Sequence, residues 1–264
     1  MSAPAEDFNA YRVPNQAGLR SSLTTGSRRV VMSVLDGQSR EVAWGQPWQF
    51  MSAAYWIGVT EEWRSVNPVR ERPHRLGTTF AEEVVACMLG GHGVTFEMNV
   101  GAFHSLRQAG LIDDANASTE ELSAVLHQPL IIGERLISYR YPNQKASRIA
   151  EALGRLRNEP VPAEALDARD WLMTFRGIGP KTASWIVRNH YDTDDVAIID
   201  IHIQRAGVQA GVFDPSWSPL RHYWTMERAF LEWARIGDVP AGDLDAVIWI
   251  KQAANARLRR GISG

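Results

Sequence analysis

One short turn constrains this chain more than any other feature. Residues 171–211 read WLMTFRGIGPKTASWIVRNHYDTDDVAIIDIHIQRAGVQAG. Leu172, Phe175 and Ile178 recur at helical steps and run into Gly177 and Gly179, which flank a single apolar residue. Pro180 follows at a position where a missing N–H costs nothing, because the first-turn donors of a helix have no helical partner. The consequence is two helices joined by a tight hairpin. Such a hairpin points backbone N–H groups outward at a helix N-terminus, a ready seat for a phosphate oxygen. By itself a Gly-x-Gly turn also fits an ordinary helical corner in which glycine supplies a left-handed residue.

The rest of the chain is mainly helical in pattern. Thr79 is placed to cap a helix through residue 89, ended by Gly90 and Gly91, and a second helix spans 97–108 before Gly110. Ser118-Thr119-Glu120-Glu121 resembles a capping box opening a helix to His127, and 145–156 is an amphipathic helix stopped ahead of Pro160 and Pro162. Further helices suit 164–175, 180–189, 201–210, 222–236 and 243–259. Large apolar residues at helical steps also occupy 47–63, before a break at Pro68 and Pro73. The first forty residues carry Pro4, Pro14, Gly18, Gly26 and Gly37 with a short apolar run at 30–35, read as an irregular extension with a strand. The expected architecture is mainly α and two-lobed. An N-terminal extension, residues 1–75, packs on the C-terminal helices, and a helical region, 76–264, holds the hairpin at 171–190.

Composition bounds the function. With 264 residues, 45% of them hydrophobic, the chain can bury a sizeable core. Cys87 is the single cysteine, which excludes an intramolecular disulfide and a four-thiolate zinc or iron–sulfur site within one chain. No apolar run is long enough to span a membrane, and a cytoplasmic monomer is expected. Lys and Arg total 28 against 30 Asp and Glu, a formal charge of −2 that gives no overall sign of a nucleic-acid partner. The bases are locally concentrated, however, at Arg176, Lys181 and Arg188, and again at Lys251, Arg257, Arg259 and Arg260.

GIGPKTA at 177–183, followed by IIDIHI at 198–203, resembles the signature of the helix-hairpin-helix DNA glycosylases. YRYPNQKASRIAEAL at 139–153 resembles the aromatic-x-x-x-Lys-Ala-x-x-Ile helix of the 8-oxoguanine glycosylases, above all their archaeal-type branch. LDAVIWIKQ at 244–252 resembles that branch's C-terminal helix. The resemblance implies a DNA N-glycosylase with associated strand-nicking (AP lyase) activity, acting on double-stranded DNA that carries a modified base. It implies Lys181 and Asp200 as the catalytic pair.

The chemistry is consistent with that pair. A glycosidic bond breaks through a sugar with oxocarbenium character, which a carboxylate near C1′ stabilises. A neutral lysine amine can then attack C1′ and form an imine that permits β-elimination. Each residue also has a plainer role open to it: Asp200 as the N-cap of the following helix, worth about 1 kcal/mol, and Lys181 as a surface lysine on phosphate. Gly177, Gly179, Thr182, His202, Lys145 and Arg148 are candidate DNA contacts, although Lys145 and Arg148 also suit a solvated helix face. Trp249 and His92 are candidates for the pocket of the flipped base, with plain core the other reading of Trp249. The acidic run Asp192, Asp194 and Asp195 reads as a solvated loop, and no metal site is expected. No cofactor is expected either, except that the resemblance allows a monovalent cation on the hairpin carbonyls.

ACMLGGHGVTFEMN at 86–99, glycine-rich around His92, and a chain continuing past 252 depart from the oxoguanine-specific pattern. Two substrates are therefore carried forward: an oxidised purine such as 8-oxoguanine, and a bulky phage base such as glucosylated 5-hydroxymethylcytosine, removed in antiviral defence. A different class, a non-catalytic helix-hairpin-helix DNA-binding module, needs neither Lys181 nor Asp200.

Overall fold

The computed structural model describes residues 28–67, 75–113 and 117–261; of Asp36 and residues 253–261 only the backbone is described. Pro4, Pro14, Gly18, Gly26, Pro68 and Pro73 lie outside the described residues. The order is β1 (Arg29–Ser33), β2 (Ser39–Ala43), α1 (Ala53–Val66), α2 (Phe80–Leu89), α3 (Phe96–Gln108), α4 (Thr119–Leu126), β3 (Leu130–Ile132), β4 (Arg135–Ile137), α5 (Pro142–Asn158), α6 (Ala165–Leu172), α7 (Pro180–Tyr191), α8 (Ile201–Gln209), α9 (Pro219–Ile236) and α10 (Ala241–Gly261). The architecture is mainly α, with two antiparallel two-stranded ribbons, β1–β2 and β3–β4.

Local chemistry explains where most helices begin. Thr79 Oγ1 accepts from the Glu82 N–H at 3.1 Å while the Glu82 carboxylate accepts from the Thr79 N–H, a full capping box for α2. Ser118 and Glu121 repeat it for α4. Proline occupies the first turn of α5, α7 and α9, where its fixed φ is already helical. Helix α5 starts at Pro142, ahead of the expected 145, and α6 ends at Leu172, ahead of the expected 175. In 173–175 the N–H groups turn to carbonyls three or four residues back and lead into the hairpin.

Two apolar cores result. The first is built from α2 to α7, with Phe103, Leu106, Leu122, Ile149, Leu172 and Ile186 at its centre. The second combines β1, β2 and α1 with α8, α9 and α10, through Met32, Val42, Trp56, Phe213, Phe230 and Trp233. The chain passes from one core to the other between Val196 and Ala197.

The segment 28–66 is therefore half of a lobe. The helix expected across 47–63 begins only at Ala53, because Gly45 (φ +75°) and Met51 (φ +64°) turn the chain before Ser52 caps α1 through the Tyr55 N–H at 3.0 Å. Strand β2 was not expected. Its residues SREVA alternate with mostly polar partners, and only Val42 is buried. The ribbon β3–β4 was not expected either, since strands of three residues carry too little periodicity to read.

Because Met32 is fully buried in the second core, Met32→Ala should lower stability by about 3 kcal/mol. Urea unfolding followed by tryptophan fluorescence checks this. A loss under about 1 kcal/mol would show that β1 is dispensable to the lobe.

Candidate active site

The hairpin between α6 and α7 is built as its residues require. Gly177 has φ +89°, a left-handed value, and a Cβ there would lie 2.5 Å from Cδ of Arg148. Both the backbone and the close approach of that arginine demand glycine. Gly179 is the N-cap of α7 and offers no side chain to its first turn, and the space a Cβ would fill is open. Lys181 and Thr182 follow Pro180 in that first turn, Lys181 exposed and Thr182 half-buried. The N–H donors and positive end of α7 thus face outward beside the Lys181 side chain.

Asp200 is the N-cap of α8. Its Oδ1 accepts from the N–H groups of His202 at 2.8 Å and Ile203 at 2.9 Å. Both cap bonds fall on one oxygen, so Oδ2 is the oxygen that can serve another partner. Capping and chemistry are compatible in one side chain.

Lys181 and Asp200 share one electrostatic environment with Asp245 of α10. Burial pushes the Asp245 carboxyl up to about 6, against the opposing pull of Arg188; Asp200 adds to the rise and Lys181 opposes it. Arg188, two turns beyond Lys181 on α7, donates to Asp245 through Nη1, and both side chains are nearly buried. Sequence reasoning missed Asp245 as a site residue. Its only signal was its place one turn before Trp249 in LDAVIW.

Trp249 is half-buried and meets two rings edge-on: His202 at a centroid distance of 6.2 Å and Phe96, the first residue of α3, at 5.7 Å. The His202 Nδ1 is buried without a hydrogen-bond partner among the described residues. An aromatic cluster therefore lies immediately beyond Asp200 on α8. His92 is exposed in the loop joining α2 to α3, and Phe96, four residues on and not foreseen, is the residue that reaches Trp249.

Two expectations need correction. Lys145 does not lie on a solvated face. It is buried, and its ammonium donates to the Met88 carbonyl and, at 2.7 Å, to the Gly90 carbonyl, closing the C-terminus of α2. Burial, aided by Arg148, lowers its pKa to about 8. Lys145 thus spends two of its ammonium donors in capping α2. Arg176 is held by Glu151 and Ser147, each at 2.7 Å. With Arg188 paired to Asp245 as well, Lys181 is the one lysine or arginine of 171–190 without such a partner among the described residues. The acidic run is a loop in which Asp192 and Asp195 are exposed, as read, while Asp194 is half-buried and accepts from the Gly242 N–H at 2.7 Å. No cluster of metal-ligating side chains occurs among the described residues, and no helix among them is long and apolar enough to cross a membrane. The side chains of Arg257, Arg259 and Arg260 lie outside the described residues.

The family model described as 8-oxoguanine DNA glycosylase matches residues 69–238, well over half of the chain. The chain belongs to this family. The 8-oxoguanine DNA glycosylase/AP lyase of Metallosphaera sedula is 33% identical over 172 residues, covering 63% of this chain and 78% of that protein. The fold matches that of the 8-oxoguanine DNA glycosylase of Thermotoga maritima, with a TM-score of 0.54 at 24% identity over 75% of this chain and 95% of the other. It also matches the Methanocaldococcus jannaschii enzyme of the same name, at 0.57 and 21% identity over 76% and 94%. The family match and these folds establish a two-lobed glycosylase architecture, with the hairpin, Lys181 and Asp200 inside the matched span.

Two measurements test the site's construction. Lys145→Met leaves the Met88 and Gly90 carbonyls without their donor, so stability should fall by about 1–3 kcal/mol while affinity for duplex DNA is unchanged. A selective loss of affinity would restore Lys145 as a DNA contact. For Asp245 the folded pKa lies above the unfolded value, so the protonated carboxyl stabilises the fold fully below about pH 4, and that contribution is lost as pH rises to about 6. Urea midpoints measured across pH 4–7 should show this fall in the wild type, and Asp245→Asn should flatten it.

Proposed function

We propose that this chain excises an oxidised purine, 8-oxoguanine first among them, from double-stranded DNA and then nicks the abasic strand through a lysine imine. The observation that supports this most is that Lys181, at the exposed N-terminus of α7, and Asp200, whose Oδ1 takes both cap bonds at the start of α8, act on one buried carboxyl, Asp245.

In this reading the DNA backbone rests on the hairpin. A phosphate oxygen takes the N–H groups of Lys181 and Thr182. Arg148, lying against Gly177 with its buried Nε unpartnered among the described residues, adds a cation at the same place. The target base leaves the stack and enters the space beside Trp249, His202 and Phe96. There an aromatic face recovers part of the unstacking cost at roughly 1–3 kcal/mol per base. As the bond from C1′ to the base nitrogen breaks, the base departs with the electron pair and Asp200 stabilises the positive sugar. The Lys181 amine forms the new bond to C1′. Ring opening gives an imine, and loss of a C2′ proton then expels the 3′ phosphate.

Two of the hairpin carbonyls each already accept one hydrogen bond and keep a second lone pair, so a monovalent cation there remains part of this proposal only as what the resemblance implies. The Thr174 carbonyl accepts from the Arg155 guanidinium at 3.2 Å and that of Phe175 from the Ile178 N–H at 3.1 Å. No step is assigned to such an ion.

The test is a duplex panel carrying 8-oxoguanine, uracil, an alkylated purine or glucosylated 5-hydroxymethylcytosine, scored for free base and for borohydride-trapped protein. Release and trapping are expected with 8-oxoguanine, and Lys181→Gln should abolish trapping. Asp200→Asn should slow release on the order of 10²-fold or more with an unchanged melting temperature, because asparagine caps a helix as well as aspartate does. Release only from the glucosylated base would reassign the substrate to the phage-defence class. Release from none would favour the DNA-binding module.

A further inference from the structure

Half-buried Asp200 follows residues 196–199, a buried segment that belongs to no helix or sheet. Its backbone therefore lacks a ladder to fix it, and buried N–H and C=O groups must find partners elsewhere. At Ala197 both partners come from side chains of α9. The Ala197 N–H donates to Glu227 Oε1 at 3.0 Å, and the Tyr223 hydroxyl donates to the Ala197 carbonyl at 2.7 Å. Tyr223 and Glu227 are four residues apart and so share one face of the helix.

The same glutamate reaches back to the hairpin. Ser184 Oγ, one turn after Lys181 on α7, donates to Glu227 Oε1 at 3.3 Å, and Arg169 of α6 donates to Oε2 at 2.9 Å. Ser184 and Glu227 are buried, and Arg169 is braced a second time by the Trp224 ring of α9, 4.8 Å from its guanidinium carbon. One carboxylate thus touches the helix before the hairpin, the helix that carries Lys181 and the segment that carries Asp200.

We propose that Glu227, with Tyr223, is a positioning residue for catalysis, a strut that sets the separation of Lys181 and Asp200 by joining Ser184 and Arg169 to Ala197. Neither side chain touches the reacting atoms. The strut acts because Ser184 lies three residues after the nucleophile and Ala197 three residues before the carboxylate, so a shift at either contact is carried along a short stretch of chain to the site. This inference rests on Lys181 and Asp200 being the catalytic pair.

The experiment uses the full chain and two variants. Glu227→Gln keeps the shape and one acceptor oxygen but turns an amide donor toward the Arg169 guanidinium; Tyr223→Phe removes the hydroxyl that bonds the Ala197 carbonyl and also interacts with Ser184 and the Ile199 backbone. Each is measured for affinity to an 8-oxoguanine duplex, for single-turnover base release, and for hydrogen exchange of the Ala197 amide. Glu227→Gln should slow release on the order of 10²-fold, the scale of a small misplacement of catalytic groups, with affinity within about threefold of wild type and faster Ala197 exchange. Tyr223→Phe should slow release on the order of tenfold in the same pattern. If Glu227→Gln does not fold, Tyr223→Phe decides.

Wild-type release rates in the folded variants would overturn the strut, as would affinity falling in step with rate. A wild-type chain that releases no base refutes the catalytic reading instead. In that case Ala197 exchange alone still judges the strut, and unchanged protection in both variants would refute it.

Discussion

Two buried ion pairs cross the seam between the cores, and the candidate site exists where they hold it. Arg169 of α6 and Arg188 of α7 come from the first lobe; Glu227 of α9 and Asp245 of α10 come from the second. Lys181 is carried by a helix whose apolar face, through Ala183, Ile186 and Val187, is anchored in the first core. Asp200 is flanked by Ile199 and Ile203, which are anchored in the second. The two groups that must meet at one sugar thus belong to different hydrophobic units. Apolar packing is non-directional and tolerates sliding, so it cannot by itself fix their separation. Charged pairs with defined hydrogen-bond geometry can.

Such pairs are poor sources of net stability. Desolvating two ions costs nearly what their attraction returns, whereas removing one partner and stranding the other costs about 3–5 kcal/mol. Their value lies in that asymmetry. A lobe displaced by even a few ångströms would separate four buried or nearly buried charges from their ion-pair partners, so the displaced arrangement is penalised even though the native one gains little. Burial shows in the titration of both acids: Glu227 and Asp245 are each raised by desolvation despite an arginine at hydrogen-bond distance. The cross-seam acids are buried and their arginines nearly so, which is the condition under which misregistry is expensive.

The seam also explains why one stretch of chain carries most of the chemistry. Between Lys181 and Asp200 the polypeptide leaves the first core at Val196 and enters the second at Ala197. Asp192 at φ +57° ends α7 with a left-handed residue, and Asp194 ties the crossing to the start of α10. Helix α10 then returns Trp249 to the N-terminus of α8, where His202 and Phe96 complete an aromatic cluster drawn from three helices. The phosphate-facing hairpin, the nucleophile, the carboxylate and the stacking surface are all hung on the crossing.

How much of this was legible in the sequence follows from the range of the interactions. Thr79 with Glu82, Ser118 with Glu121, Pro180 and the Asp200 cap act within four residues, so helix starts could be read from spacing, whereas the Lys181–Asp200 pair was implied only by the resemblance to the DNA glycosylase signature. Lys145 was misread because its sequence position tells only that it borders the apolar face of α5. Whether its four-carbon stem reaches water or the end of α2 depends on where α2 lies. Arg169 with Glu227 and Arg188 with Asp245 are separated by 58 and 57 residues and leave no periodic trace. The short strands fail for the opposite reason: β3 and β4, three residues each, are local but too brief to carry a period. The sequence therefore discloses groups that act on their own neighbourhood. The groups that act across the seam, on which the distance between Lys181 and Asp200 depends, become visible only once both cores are assembled.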